Sequence, residues 1–559
     1  MLSPRRHIVT RNKEASVLQS VTIVLLLLLA VVVSGIVSRV VPVPLPRPLF
    51  QIALGAAIGL IADWRVTLDP EIFFLLFLPP LLFLDGWRIP REELFKDGKT
   101  VLELALGLVV FTVVGMGFFI NWMIPSMPLP VAFALAAVVS PTDPIAVSAI
   151  AQRVPIPKRM MHILEGESLL NDASGLVCLR FAVAAALTGA FSLQNAALNF
   201  LWVALGGIAV GVGVTWLVSR AKSWVMRHYG EEGGGQILIS LLIPFGSYLL
   251  AEHMHCSGIL AAVASGLTMG WVEATGEVAA TTRIRRNTVW DTIQFTANGI
   301  IFVLLGEQLP AILSGAAEIV RSTGHHEPWW LAIYVVAINL GLAALRFLWV
   351  WLSFRLTLYR QGHGSKAPDW RLLAAMSFAG VRGAITLAGV LTLPLAMGDG
   401  SPFPARELAI FLAMGVIITS LVAASIGLPL LLRGLSLPPE PSHVAEEDAA
   451  RTAAAEAAIA AVQRAEHEMA EGRPDADLYV AAASRIMDLY RRRIELSQSG
   501  ADETVSRERL EQIERELRLI ALRAERAEIL RRAQHHRIGS EAMRRMVREI
   551  DLMEARYAS

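Results

Sequence analysis

Acidic and amide side chains occur where the sequence is otherwise fit for hydrocarbon. Glu165-Gly166-Glu167-Ser168-Leu169-Leu170-Asn171-Asp172 interrupts one apolar run, and Ser140-Pro141-Thr142-Asp143-Pro144 interrupts the run before it. Ionisable groups at bilayer depth are costly, and each one marks a functional site by default. The prolines flanking Asp143 remove backbone donors and break a helix. Broken backbone is tolerated at that depth only where it is buried in protein or lines a cavity. Ser168 and Asp172 are four apart and share a helix face, as do Glu167 and Asn171. Oxygens from Ser168, Asp172 and the unwound backbone around Thr142 suit a hard monovalent cation. A carboxyl group removed from water also holds a proton more readily. One group that takes a cation or a proton, never both, is the chemistry of an exchanger.

Positioning that chemistry requires membrane helices. The 559-residue chain is 54% hydrophobic and 18% charged, with a mean hydropathy of +0.52. Its charge is uneven: apolar runs recur up to Leu432, and residues 433–559 are charged and alanine-rich. This is the composition of a polytopic membrane protein with a helical tail. A net charge of +1 points to no nucleic-acid partner. Cys178 and Cys256 form neither a disulfide framework nor a metal-ligand pattern. No cofactor is implied, and the reading is of a transporter, not an enzyme.

The apolar runs are Val17–Val37, Leu49–Trp64, Glu71–Leu84, Val101–Asn121, Val131–Ala151, Met160–Leu187 and Trp202–Val218. They continue with Gln236–Glu252, Gly258–Trp271, Trp290–Leu313, Trp329–Trp351, Leu372–Leu395 and Leu408–Leu432. Read as helices they make about 13 spans. Alternate loops carry clustered bases, such as Arg88, Arg91, Lys96 and Lys99, or Arg283, Arg285 and Arg286. The intervening loops carry Arg65, Arg321 and Arg406. The positive-inside rule then puts the N-terminus outside and the tail in the cytoplasm of a cell-membrane protein. The basic residues Arg5, Arg6, Arg11 and Lys13 argue the other way for the N-terminus. The domains are residues 1–16, an N-terminal segment; 17–432, the transmembrane domain; and 433–559, the cytoplasmic tail.

Two spans are broken. The fifth breaks at Ser140–Pro144, and the twelfth at Ala379-Gly380-Val381-Arg382-Gly383-Ala384. On this topology the two run in opposite directions, which is the mark of an inverted-repeat secondary transporter. Asp172 lies about 15–18 Å along its helix from the cytoplasmic face, near the middle of a ~30 Å hydrocarbon core. Half-helix ends carry partial charges, and Asp143 and Arg382 suit their compensation. Arg346 needs an acidic partner at depth. Glu167 is the first choice for it, and Asp172 the alternative. Asp85, after the Pro79-Pro80 run, is either a further ligand or an ordinary helix-end acid. Arg180 pairs or snorkels. Asn298, Gln294 and Glu307 line a pathway or hydrogen-bond between helices.

Together, Ser140–Pro144, Glu165–Asp172, Arg346 and Gly380-Val381-Arg382-Gly383 resemble the monovalent cation:proton antiporter-1 family, and its bacterial YjcE-like branch most. The resemblance covers about residues 17–432. It implies a homodimer with a core half holding two crossed discontinuous helices, and elevator-type alternating access. Its substrates would be protons and Na⁺, with Li⁺ or K⁺ as further cations. It also implies Asp172 as the cation- and proton-binding acid, Asn171 as its motif partner, Ser168 and Thr142 as ligands, and Asp143 acting through water or at the helix ends. Glu167 would pair with Arg346. Asparagine at 171, where electrogenic relatives carry a second aspartate, implies one-for-one electroneutral exchange. Asp85 falls one residue later than the acid of many members. Competing readings are a K⁺/H⁺ antiporter, an anion or organic-solute transporter, and a membrane sensor signalling through its tail. In the tail, Leu510, Ile513, Leu517, Ile520 and Leu522 recur at helical spacing, with breaks at Gly472-Arg473-Pro474 and near Ser497–Asp502.

Overall fold

Helices end where the backbone ladder is interrupted, not where hydrophobicity fades, and this separates the observed elements from the apolar runs. In the structure, a computed structural model, the described residues are 5–41, 45–61, 70–89, 98, 103–143, 147–148, 158–189, 193–230, 232–273, 280–321, 327–361, 370–433, 442–471, 476–497, 501–535 and 540–558. They are helical almost throughout, with one isolated bridge between Ala396 and Pro402.

The helices are α1 (Arg5–Val40), α2 (Arg47–Ile61), α3 (Pro70–Arg88), α4 (Glu103–Met123, wound as a π-helix over Glu103–Leu108), α5 (Leu129–Val139), α6 (Lys158–Thr188), α7 (Leu193–Tyr229) and α8 (Gly233–His253). They continue with α9 (Gly258–Glu273), α10 (Ala280–Ser314), the short α11 (Ala316–Arg321), α12 (Trp329–Gln361), α13 (Trp370–Phe378), α14 (Ala384–Leu391) and α15 (Arg406–Leu432). Among the described residues each apolar run overlaps a helix, and the run Leu372–Leu395 is divided over a pair of half-helices. Helix α1 begins at Arg5, ahead of the expected start at 17, because its polar first turns continue the same ladder. The 37 residues of α7 rise about 55 Å, well beyond its apolar run. Helix α5 stops at Val139, where the expected span to Ala151 leaves the helix over Ser140–Asp143, and residues 144–146 and 149–151 lie outside the described residues.

Eight of these helices are long and apolar enough to cross a membrane, and Arg47–Ile61, Leu129–Val139 and Gly258–Glu273 are shorter apolar helices. Exposed Leu25, Val32, Trp202, Leu205, Trp216, Leu238 and Leu340 are an apolar surface that lipid would cover. Helix α5 is unlike these, since Val131, Ala132, Leu135, Ala136 and Val139 are wholly buried.

The membrane helices pack in two groups. Helices α1, α2, α3, α7, α8, α9 and α10 form one, with α2 closely against α10 and α3 against α9. Helices α4, α5, α6, α12, α13, α14 and α15 form the other, and the two groups meet sparsely. The tail is a separate unit from Leu437 onward. There α16 (Ser442–Ala470) packs on α17 (Ala476–Ser497), and α18 (Ala501–Gln534) on α19 (Ser540–Ala558). Leu522, Ile529 and Ile550, flanked by Met543 and Val547, form the core of the second pair.

Candidate ion-binding site

Two chain breaks meet and position the candidate residues. After α5 the backbone leaves the helix at Ser140–Asp143, and between α13 and α14 it is unwound over Ala379–Gly383. The amide of Asp143 donates to the carbonyl of Val381 at 2.7 Å, tying one break to the other. The last carbonyls of any helix lack partners and carry partial negative charge. Here arginines supply the donors. Arg382 Nε donates to the Val139 carbonyl at the end of α5 at 2.8 Å, and its Nη1 to the Gly380 carbonyl beyond α13. Arg346 Nε donates to the Met376 carbonyl in α13 at 2.9 Å.

The opposite sign serves the opposite end. Gly383 immediately precedes α14, and the Asp143 carboxylate lies so close that a Cβ at 383 would sit 1.7 Å from Asp143 Oδ2. An anion at a helix N-terminus is favoured by the exposed amides and the dipole. Glycine is therefore required at 383 for its missing side chain, since φ there is an ordinary −131°.

Helix α6 is drawn against the same break. A Cβ at Gly175 would lie 2.4 Å from Pro141 Cγ, so the two backbones approach as close as packing permits. About two turns back along α6, Glu167 forms a buried, two-pronged ion pair with Arg346. Arg346 Nη1 donates to Glu167 Oε1 at 2.5 Å and Nη2 to Oε2 at 2.7 Å. Thr142 Oγ1 donates to Glu167 Oε1 at 3.1 Å, and Asn171 Nδ2 donates to Thr142 Oγ1 at 3.0 Å. The network Asn171–Thr142–Glu167–Arg346–Met376 thus locks α6 to both broken helices.

In front of that network is a small cavity of about 30 Å³. Asp85, Thr142, Asp143, Ser168 and Asp172 line it together, with Leu78, Leu81, Leu82, Pro141, Asn298, Gly383, Ile385 and Thr386. Three carboxyl groups on one small cavity repel one another, and a cation or a proton between them relieves that repulsion. Serine and threonine oxygens beside them suit a hard cation. Asn171 and Glu167 stand behind this wall through Thr142.

The remaining candidates lie elsewhere. Arg180 Nη2 donates to Glu252 Oε1 at 3.0 Å, across to α8, and Gln294 Oε1 accepts from Arg88 at 2.8 Å. Among the described residues no group of His, Cys, Asp and Glu is arranged for a bound metal, and both cysteines are free. Sequence reasoning missed Thr386, though its place three residues past Gly383 in a break was a usable signal. It left Asn298 as one helix-ten polar residue among several. It also missed a second ion pair, the buried Arg286 with the half-buried Glu273 at 2.5 Å, in which Arg286 lies 4.8 Å over the Trp87 ring.

Fold and site together define a multi-pass membrane transporter that handles ions. The model of the family described as sodium/hydrogen exchanger, transmembrane, matches residues 23–434, and the chain belongs to that family. It is 42% identical over 544 residues to YjcE of Escherichia coli (strain K12), named as an uncharacterized Na(+)/H(+) exchanger, covering 95% of this chain and 98% of that one. Over 411 residues it is 44% identical to a sodium, potassium, lithium and rubidium/H(+) antiporter of Bacillus pumilus (strain SAFR-032), covering 73% of this chain and 60% of the other. Its fold is similar to that of the sodium proton antiporter MjNhaP1 from Methanocaldococcus jannaschii, with a TM-score of 0.57, 21% identity, and coverage of 75% and 99% of the two chains. The expected family and all-helical antiporter fold are borne out.

Proposed function

We propose that this protein exchanges protons for monovalent cations one for one across the cell membrane, with Na⁺ as a substrate and Li⁺ or K⁺ as further cations. The observation that carries the reading is the shared cavity of Asp172, Ser168 and Thr142, backed by a Glu167 carboxylate already neutralised by Arg346. Asp172 then takes the cation or the proton, with Ser168 and Thr142 as oxygen ligands and Asp143 and Asp85 keeping the cavity negative. Asn171 fits one-for-one exchange, since an amide occupied with Thr142 adds no second titrating acid. The name of the Bacillus relative includes potassium and lithium beside sodium, which favours a site that is not strictly sodium-selective.

Alternating access by an elevator movement fits the two packing groups, because the cavity lies on the seam where they meet sparsely. The group holding α5, α6, α13 and α14 would carry the ion, and the other, with its partner in a homodimer, would stay fixed. The N-terminus faces outward and the tail lies in the cytoplasm, on the loop-charge pattern.

Everted vesicles containing the protein, acidified inside, test this. Na⁺, Li⁺ or K⁺ added outside should dissipate the pH gradient, and Asp172→Asn should not support it. A folded wild-type preparation that answers none of the three cations would overturn the proposal.

A further inference from the structure

The cavity has two walls of different origin. Thr142, Asp143, Ser168, Asp172 and Thr386 come from the group proposed to carry the ion. The facing wall is Leu78, Leu81, Leu82 and Asp85 of α3 with Asn298 of α10. That wall is apolar except for Asp85 and Asn298. Asn298 sits in α10 between the buried Ala297 and Ile301. Its side-chain oxygen is buried and has no hydrogen-bond partner among the described residues. A buried amide oxygen without a donor is uncommon in native proteins, and an ion or water at the site is a standard reason for one. An oxygen acceptor left open on the wall of a carboxylate-lined cavity matches what a bound cation needs.

We infer that Asn298 is a selectivity residue of this exchanger, its side-chain carbonyl completing the oxygen shell of the cation held at Asp172. The inference rests on the cation-exchange reading of the same cavity and adds which residue ranks the cations. A neutral carbonyl ranks ions through its dipole: the smaller the ion, the closer the oxygen and the stronger the attraction. The number and field strength of such oxygens are among the factors that set alkali-ion preference. Asn298 therefore favours Li⁺ and Na⁺ over K⁺. Because it stands on the wall opposite Asp172, its oxygen joins the shell only while the two walls face each other.

Asn298→Leu keeps the side-chain shape and removes the oxygen. In reconstituted vesicles its KM for Na⁺ and Li⁺ should rise roughly tenfold, about the effect of one lost polar contact. Its KM for K⁺ should rise by a clearly smaller factor, with the maximal rate near wild type. Asn298→Asp keeps an oxygen at that place and should restore the Na⁺-to-K⁺ ratio of KM values toward wild type. Na⁺-dependent protection against thermal unfolding in detergent gives a second readout, which should weaken in Asn298→Leu more than K⁺-dependent protection does. If Asn298→Leu fails to fold, Asn298→Ser, whose oxygen stands too far back to reach the cation, is compared with Asn298→Asp in the same way. Exchange with a wild-type Na⁺-to-K⁺ ratio in folded Asn298→Leu, or in folded Asn298→Ser where the leucine variant fails to fold, would overturn the role of Asn298 and leave the exchanger reading standing. Absence of exchange in the wild type would remove both.

Discussion

Arg346 and Glu167 are 2% and 1% exposed, and the arginine also holds the Met376 carbonyl. Removing one partner of such a pair leaves an uncompensated buried charge, at a cost of about 3–5 kcal/mol. Glu167→Gln should therefore lower the melting temperature in detergent sharply, whereas Asp172→Asn should melt near wild type while losing exchange. A Glu167→Gln protein as stable as wild type would remove the structural role given to the pair. Gly383→Ala is the complementary case. Its methyl would overlap the Asp143 carboxylate, so the two breaks must part. Exchange should be lost, and a Gly383→Ala protein with wild-type transport would show that Asp143 need not stay where it is.

Among the elements, the half-helices had to be compensated, and the sequence announced this at some positions better than others. Prolines around Asp143 and glycines around Arg382 marked where the ladder fails, since those residue types act locally. Which carbonyl each arginine would reach was not legible, because Val139 and Arg382 are neighbours only after α5 and α13 have packed. Asn298 and Thr386 were obscure for the same reason: a lone amide or hydroxyl in an apolar helix looks alike whether it faces a neighbour or a cavity. Arg382→Met should take the arginine's donors from the Val139 and Gly380 carbonyls and lower the melting temperature, since a cation at a partly buried helix C-terminus contributes up to about 2 kcal/mol.

The tail elements make a separate prediction. In α18, hydrogen bonds from Arg531 and then Arg532 hold the Glu528 carboxyl down at about 2, and Arg526 lowers Glu554 of α19. A depressed carboxyl contributes above its unfolded value, near 4.3, and loses that contribution only as pH falls through the folded one. Hydrogen exchange in α18 and α19, corrected for intrinsic rates, should stay flat from pH 5.5 to 8. A transition inside that range would show that other tail groups sense pH.

Across the whole molecule, the apolar runs were legible because lipid imposes one rule on every span: apolar side chains and internally satisfied backbone. The division into two packing groups was not, since it depends on which faces meet. Those groups and the cavity on their seam motivate the account of transport. One-for-one exchange predicts that the rate at a fixed pH gradient is the same when the membrane potential is clamped at zero or at a negative value. A rate that follows the potential would indicate a second proton per cation.

The central claim is that cation and proton occupy Asp172 in turn. The measurement that reaches it most directly is the KM for Na⁺ as a function of pH in vesicles of wild-type protein. Competition for one site predicts that KM rises about tenfold for each unit of falling pH in the acid range while the maximal rate holds, as mass action requires. A KM that stays constant while the maximal rate changes would contradict it.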